Sequence, residues 1–195
     1  VNSAHQFYYH VDGENYILAG YPWFKCRARD MLIALPGLTL VNEEVEQFEM
    51  CMKTVEKGIR EFMAGEPLSV KIEHPDILLW AVWCIQQYGK IVSLQKCVEK
   101  YGLLAKDIMM YLSTSSHPNL KVRENGLVYA QGKSKAVTWM NSTANGRPIV
   151  PRSGYIVEFN ALWYNALKFS EEICQMVGRK EEEAHFAAMA VKAEQ

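Results

Sequence analysis

Between Ala136 and Leu167 the chain places Trp139, Asn141, Glu158, Asn160, Trp163 and Asn165 within one short span, with Gly146, Pro148, Pro151 and Gly154 punctuating the middle of it. A plain connector has no use for so much aromatic and polar surface. Flat rings beside amides and a carboxylate offer stacking planes together with hydrogen-bonding groups. A sugar presents the complement, a ring with an apolar face and a rim of hydroxyls, so carbohydrate is the expected ligand. The five histidines, His5, His10, His74, His117 and His185, have no ligand-like spacing, and no metal site is expected.

Helices must hold that span in place. A break near Gly154 precedes a helix expected from about Ile156 to Met176, followed by a turn at Gly178 and a last helix from Lys180 to Lys192. Upstream, Val45, Phe48, Met52, Val55, Ile59 and Phe62 recur at three- and four-residue steps, an amphipathic helix with Asn42 as its expected N-cap and Gly65 near its end. A helix starting near Pro75 runs toward Gly89 and is apolar nearly all round, so it should be deeply buried, Trp80 and Trp83 included. Another carries Leu94, Val98, Tyr101, Leu104, Ile108 and Leu112, with a bend expected at Gly102.

Two stretches read as hairpins. Residues 6–18 alternate before Asp12 and Gly13, and LKVRENGLVYAQ alternates around Asn125 and Gly126, a pairing expected to project from the helical body. Gly20, Pro22 and Gly37 bracket a segment in which Arg29 and Asp30 stand before the apolar run Met31–Leu35. Two opposite charges at the mouth of a buried helix need partners, whether each other or a ligand. The expected class is therefore all-α, six helices in successive antiparallel hairpins with small β-hairpins added.

Bulk composition narrows the function. At 195 residues, 49% hydrophobic and 22% charged, the chain can bury a core as a soluble globular domain. A net charge of -1 without a basic run interleaved with aromatics argues against a nucleic-acid partner. The longest apolar run, Ile77–Ile85, falls far short of the ~20 residues of a membrane helix, so no membrane partner is expected. Five scattered cysteines without a CxxC pair fit a reducing compartment, and a cytoplasmic location is expected. The start at Val1 reads as a cut in a longer protein.

Several blocks then occur in a recognisable order: GYPWF at Gly20–Phe24, RD at Arg29–Asp30, ALPG at Ala34–Gly37, TWM at Thr138–Met140, PR at Pro151–Arg152 and VEFNALWYNAL at Val157–Leu167. With HPDILLWAVWCIQQY at His74–Tyr88, this pattern resembles the glucosidase domain of glycogen debranching enzymes along nearly the whole chain. The resemblance implies that residues 1–195 are a partial glucosidase domain, cut at both ends and about half of a six-hairpin, or (α/α)6, toroid. It also implies inverting hydrolysis of the α-1,6-linked glucose at a trimmed branch point of glycogen or a related α-glucan, with no cofactor. An inverting pair of carboxyls stands ~6.5–9.5 Å apart, one protonating the leaving oxygen and the other activating water.

Carried over by position, Arg29 and Asp30 resemble the pair that binds the terminal glucose, and Trp23 walls the pocket. Asp76 matches an acidic position at a helix head. Trp139, Arg152, Glu158, Asn160 and Trp163 fall in the blocks that build the opposite wall. Asn141 stands where related enzymes have an aspartate that looks like the general acid, and an amide cannot give up a proton at neutral pH. Glu158 either lines the pocket or simply favours the N-terminus of its helix, and substitution for the missing acid is a lesser option for it. Arg27 and Ala28 replace the family's tryptophan and glycine, which makes the pocket more basic. The catalytic base is expected in the remainder of the same polypeptide, beyond Gln195, so these residues alone should be inactive. Two other readings stay open: a glycan-binding domain that has lost the acid, and a helical interaction scaffold without a sugar site.

Overall fold

The computed structural model describes residues 2–20, 23–70 and 72–194. Pro22, expected to bracket the segment before Arg29, lies outside them. The chain is 57% helical, with seven α-helices and small antiparallel sheets among the described residues, so it is mostly α as the periodicity predicts. Backbone contacts divide it into two compact units, residues 1–73 with 84–100, and residues 74–83 with 101–195.

The first unit opens with a short helix α1 (Asn2–His5) and a meander of β1 (Tyr8–Val11), β2 (Glu14–Gly20) and β3 (Phe24–Cys26). Asp12 and Gly13 both have positive φ, the backbone of a two-residue type I′ turn, and Val11 pairs with Glu14 as the expected hairpin requires. Helices α2 (Ala28–Leu38) and α3 (Val45–Ala64) both pack on β2. The middle of the stripe read from the sequence, Phe48, Met52, Val55 and Ile59, is buried, while Val45 and Phe62 at its ends are half-buried. Each of the buried side chains contributes on the order of 1.5–3 kcal/mol relative to exposure. Gly58 lets Val70 and Ile72 lie against α3, because a Cβ there would stand 2.7 Å from that of Val70.

Two local expectations differ here. α2 continues through Gly37 and ends only at Thr39, whose N–H and hydroxyl both donate to the Leu35 carbonyl. Asn42 does not cap α3. It closes a 3-10 turn (Leu40–Asn42) and its amide donates backwards to Leu38 O at 2.8 Å, which moves the cap to Glu44. Gly65, with φ +71, ends α3 as expected, its N–H bonding the last-turn carbonyls of Glu61 and Phe62.

The division between units falls within α4 (Asp76–Ile91) and α5 (Leu94–Ser113). In the first unit Tyr88 of α4 donates to Glu49 of α3 at 2.6 Å, and Lys100 of α5 pairs with the same carboxylate. α5 runs as one helix through Gly102. In the second unit Trp80 and Trp83 are only half-buried and meet edge to face at 5.5 Å.

The rest of the second unit is a helical hairpin with a sheet attached. α6 (Val157–Met176) and α7 (Lys180–Glu194) pack on each other across a turn at Gly178. The sheet has the order β4 (Leu120–Val122), β5 (Val128–Gln131), β8 (Ser153–Gly154). Its Asn125-Gly126 corner is a turn closed by Gly126 N–H to Arg123 O, with Gly126 at φ +80. This hairpin does not project. Trp163 of α6 donates to Gly126 O at 2.9 Å, and a Cβ on Gly126 would stand 2.7 Å from that of Lys192 on α7. Only a glycine lets α7 close on that corner. A further two-strand ribbon, β6 (Thr143–Ala144) with β7 (Arg147–Pro148), turns at Asn145-Gly146, again with both φ positive.

Candidate functional site

Position 158 falls in the first turn of α6, where the helix dipole favours an anion. Glu158 receives two bonds from the Arg152 guanidinium, the second from Nη2 to Oε2 at 2.9 Å, and a third from Trp139 Nε1 at 3.2 Å. A bidentate guanidinium fixes the carboxylate plane as well as its charge. Partial burial pushes the Glu158 carboxyl upward, but the bonds and charge of Arg152, with the indole bond, outweigh it and hold the group below the ordinary carboxylate range. It is therefore an ionised anchor, poorly suited to hand over a proton.

Arg152 owes its place to the backbone beneath it. Gly132 lies so close that a Cβ on it would stand 2.0 Å from Arg152 O. The Gly132 N–H donates to Ser153 Oγ at 3.0 Å, and β8 pairs with β5 through Ser153 and Gly154. The residues that follow the arginine are thereby tied to the sheet. Trp139 follows a buried Thr138 whose hydroxyl accepts from Met140 N–H, and the indole is left 58% exposed. Together with Met140, Asn141, Ser142, Ile149 and Val150 it lines a small depression of about 180 Å3.

Asn141 belongs to a chain of hydrogen bonds rooted in the interior. His74, 7% exposed, lies 3.0 Å through Nδ1 from Ala136 O and 3.0 Å through Nε2 from Asn141 Nδ2. A carbonyl oxygen only accepts, so Nδ1 carries the proton. Nε2 then accepts from the Asn141 NH2. The sequence offers His74 as the head of the HPD block and not as a metal ligand, and gives no sign of this contact.

Of the residues expected at the site, Trp139, Arg152 and Glu158 are in direct contact, with Asn141 lining the depression beside Trp139. Asn160 and Trp163 are used differently. The Asn160 amide clamps β5 to α6: Oδ1 accepts from Val128 N–H at 2.7 Å, and Nδ2 donates to Val128 O at 3.0 Å and Ile156 O at 3.1 Å. Trp163 is 0% exposed and presents no face for stacking. A helix repeats every 3.6 residues, so this part of the aromatic and amide series turns away from Glu158 into the core. Asp76 opens α4 and is 3% exposed. Among the described residues no cluster of histidine, cysteine, aspartate or glutamate could hold a metal ion.

The first unit carries its own candidates. Trp23 is 85% exposed, and with Tyr9, Tyr16, Phe24 and Arg27 it lines a groove of about 670 Å3. Arg27 lies over the Phe24 ring at 5.1 Å, a cation on an aromatic face. Arg29 and Asp30 fall in the first turn of α2, Arg29 half-buried and Asp30 exposed.

The family description Amylo-alpha-1,6-glucosidase matches residues 2–195. The chain belongs to that family. This bears out the resemblance drawn from its motif blocks and gives a glycosidase domain of the glycogen debranching type. Comparison with curated proteins and with solved structures gave no match.

Proposed function

We propose that this amylo-alpha-1,6-glucosidase family chain forms one part of a glucan site that acts on the α-1,6-linked glucose of glycogen or a related α-glucan. The observation that carries the reading is the Trp139–Glu158–Arg152 arrangement, an exposed indole held in a fixed plane by a charged pair, beside a depression lined by Asn141. A sugar ring stacks on the indole while its hydroxyls meet the amide and the charged groups. In the first unit Trp23, Arg29 and Asp30 are by resemblance sugar-binding groups in their own right, and in the second Asp76 holds the matching acidic position at the head of α4. The chain represents about half of an (α/α)6 toroid, in a polypeptide whose remainder supplies the catalytic base, and it works in the cytoplasm. The free state of all five cysteines supports that compartment.

The chemistry is inverting hydrolysis, which needs a protonated carboxyl at the leaving oxygen. Asn141 cannot donate that proton, and Glu158 is held ionised by Arg152. These residues by themselves therefore bind a branched glucan without cleaving it. A second reading, a glycan-binding domain that has lost its acid, is favoured by another observation: the Asn141 amide is built into a hydrogen-bond chain with a buried histidine.

Glucose release from a branched limit dextrin tests the choice, using the polypeptide that includes the remainder of the domain. No release by the native protein, with release restored by Asn141→Asp, identifies a disabled acid in a working frame. No release by either, with calorimetric binding of malto-oligosaccharides intact, supports the binding domain. Absence of both release and binding refutes the glucan site.

A further inference from the structure

The hydrogen-bond chain Ala136–His74–Asn141 settles more than the placement of one amide. A side-chain amide has two unlike ends, and a site that receives a hydroxyl must decide which of them faces it. His74 makes that decision here. With its Nδ1 proton on the Ala136 carbonyl at 3.0 Å, the neutral imidazole has its lone pair at Nε2, which accepts. The end of Asn141 lying 3.0 Å from Nε2 must then be the NH2, because the carbonyl end would set two lone pairs against each other. Oδ1 sits at the other end of the same planar group, on a half-buried residue that lines the Trp139 depression.

We propose that His74 is a positioning residue for this site: it holds the Asn141 NH2 inward and so presents the Asn141 carbonyl oxygen as the acceptor for a sugar hydroxyl. This rests on reading the Trp139–Asn141 depression as a glucan site, and it goes further by naming what fixes the polarity of one contact there. An amide free to rotate by half a turn would offer the hydroxyl a donor as readily as an acceptor. The imidazole removes that ambiguity without touching the ligand. His74 itself is nearly inaccessible, 7% exposed, which suits a role exerted through Asn141.

The test combines the tautomer of His74 with a double-mutant cycle read by calorimetry, using isomaltose as the probe. Nitrogen-15 spectra of the histidine ring should show the Nδ1–H form. His74→Leu and Asn141→Ala should each weaken isomaltose binding by about tenfold, the scale of one neutral hydrogen bond. The double variant should be no weaker than Asn141→Ala alone, since His74 acts only through the amide. His74→Gln, which places a carbonyl oxygen near the position of Nε2, should retain most of the affinity. An Nε2–H tautomer, or losses that add in the double variant, would overturn the proposal while leaving the glucan site standing. Absence of isomaltose binding by the unaltered chain would overturn both. Should His74→Leu fail to fold, the tautomer measured on the unaltered chain decides.

Discussion

Replacing Asn160 separates a structural amide from a ligand-binding one. In the structure the Asn160 amide stands in for a missing strand, taking both the N–H and the C=O of Val128 at 2.7 and 3.0 Å, with a third bond to Ile156 O at 3.1 Å. Val128 is 2% exposed, so water cannot take over when the amide is removed. Each buried backbone group left unpaired costs about 1–3 kcal/mol. Two such groups, partly relieved by relaxation, make Asn160→Ala destabilising by about 3 kcal/mol. For a chain of this length that corresponds to a melting temperature lower by roughly 6–12 °C. Asn160→Asp should cost about as much, because its carboxylate keeps the acceptor for the Val128 N–H but turns acceptors toward the two carbonyls. Urea denaturation of the three proteins, with isomaltose titration under native conditions, checks both halves. A loss under about 0.5 kcal/mol, the range of ordinary surface substitutions, together with a weakened affinity for the sugar, would refute the clamp and return Asn160 to the sugar.

Gly132→Ala should act on the site from beneath: its methyl meets the Arg152 carbonyl, so the arginine must shift, and the expected result is a changed Trp139 fluorescence together with a stability loss of about 1–3 kcal/mol, the scale of overpacking. Glu158, held below the ordinary carboxylate range by Arg152, contributes stability that is complete above the unfolded-state pKa of about 4.3 and is lost as pH falls through its lower folded value. Because the pair is partly exposed, the contribution is about 1 kcal/mol or less. Urea midpoints measured from pH 6 to pH 3 should therefore fall slightly more for the native chain than for Glu158→Gln; parallel curves would show that the pair contributes nothing.

What could be read from the sequence depended on whether the signal was local. The spacing from Val45 to Phe62 and the Asp12-Gly13 turn are local patterns with one physical solution, and the structure has both. Motif order carried the family over the whole chain. Contacts between distant segments were not legible. Nothing near Gly126 announces that Trp163 and Lys192 close over it, so a hairpin signal was read as a projection. Nothing near Asn160 says that its amide completes a strand some thirty residues earlier. Composition near Glu158 marked residues that the fold does bring together, since Trp139, Arg152 and Glu158 meet there. Which members of that neighbourhood face outward is a matter of helical phase against the core, and Trp163 lay on the inward side.

Arg152 is anchored in front by Glu158 and behind by a glycine that leaves no slack, with its following residue stitched into a sheet. The backbone under Arg152 has little room to shift, so a change at position 132 is passed to Glu158 through the ion pair, and from there to the indole bonded to it.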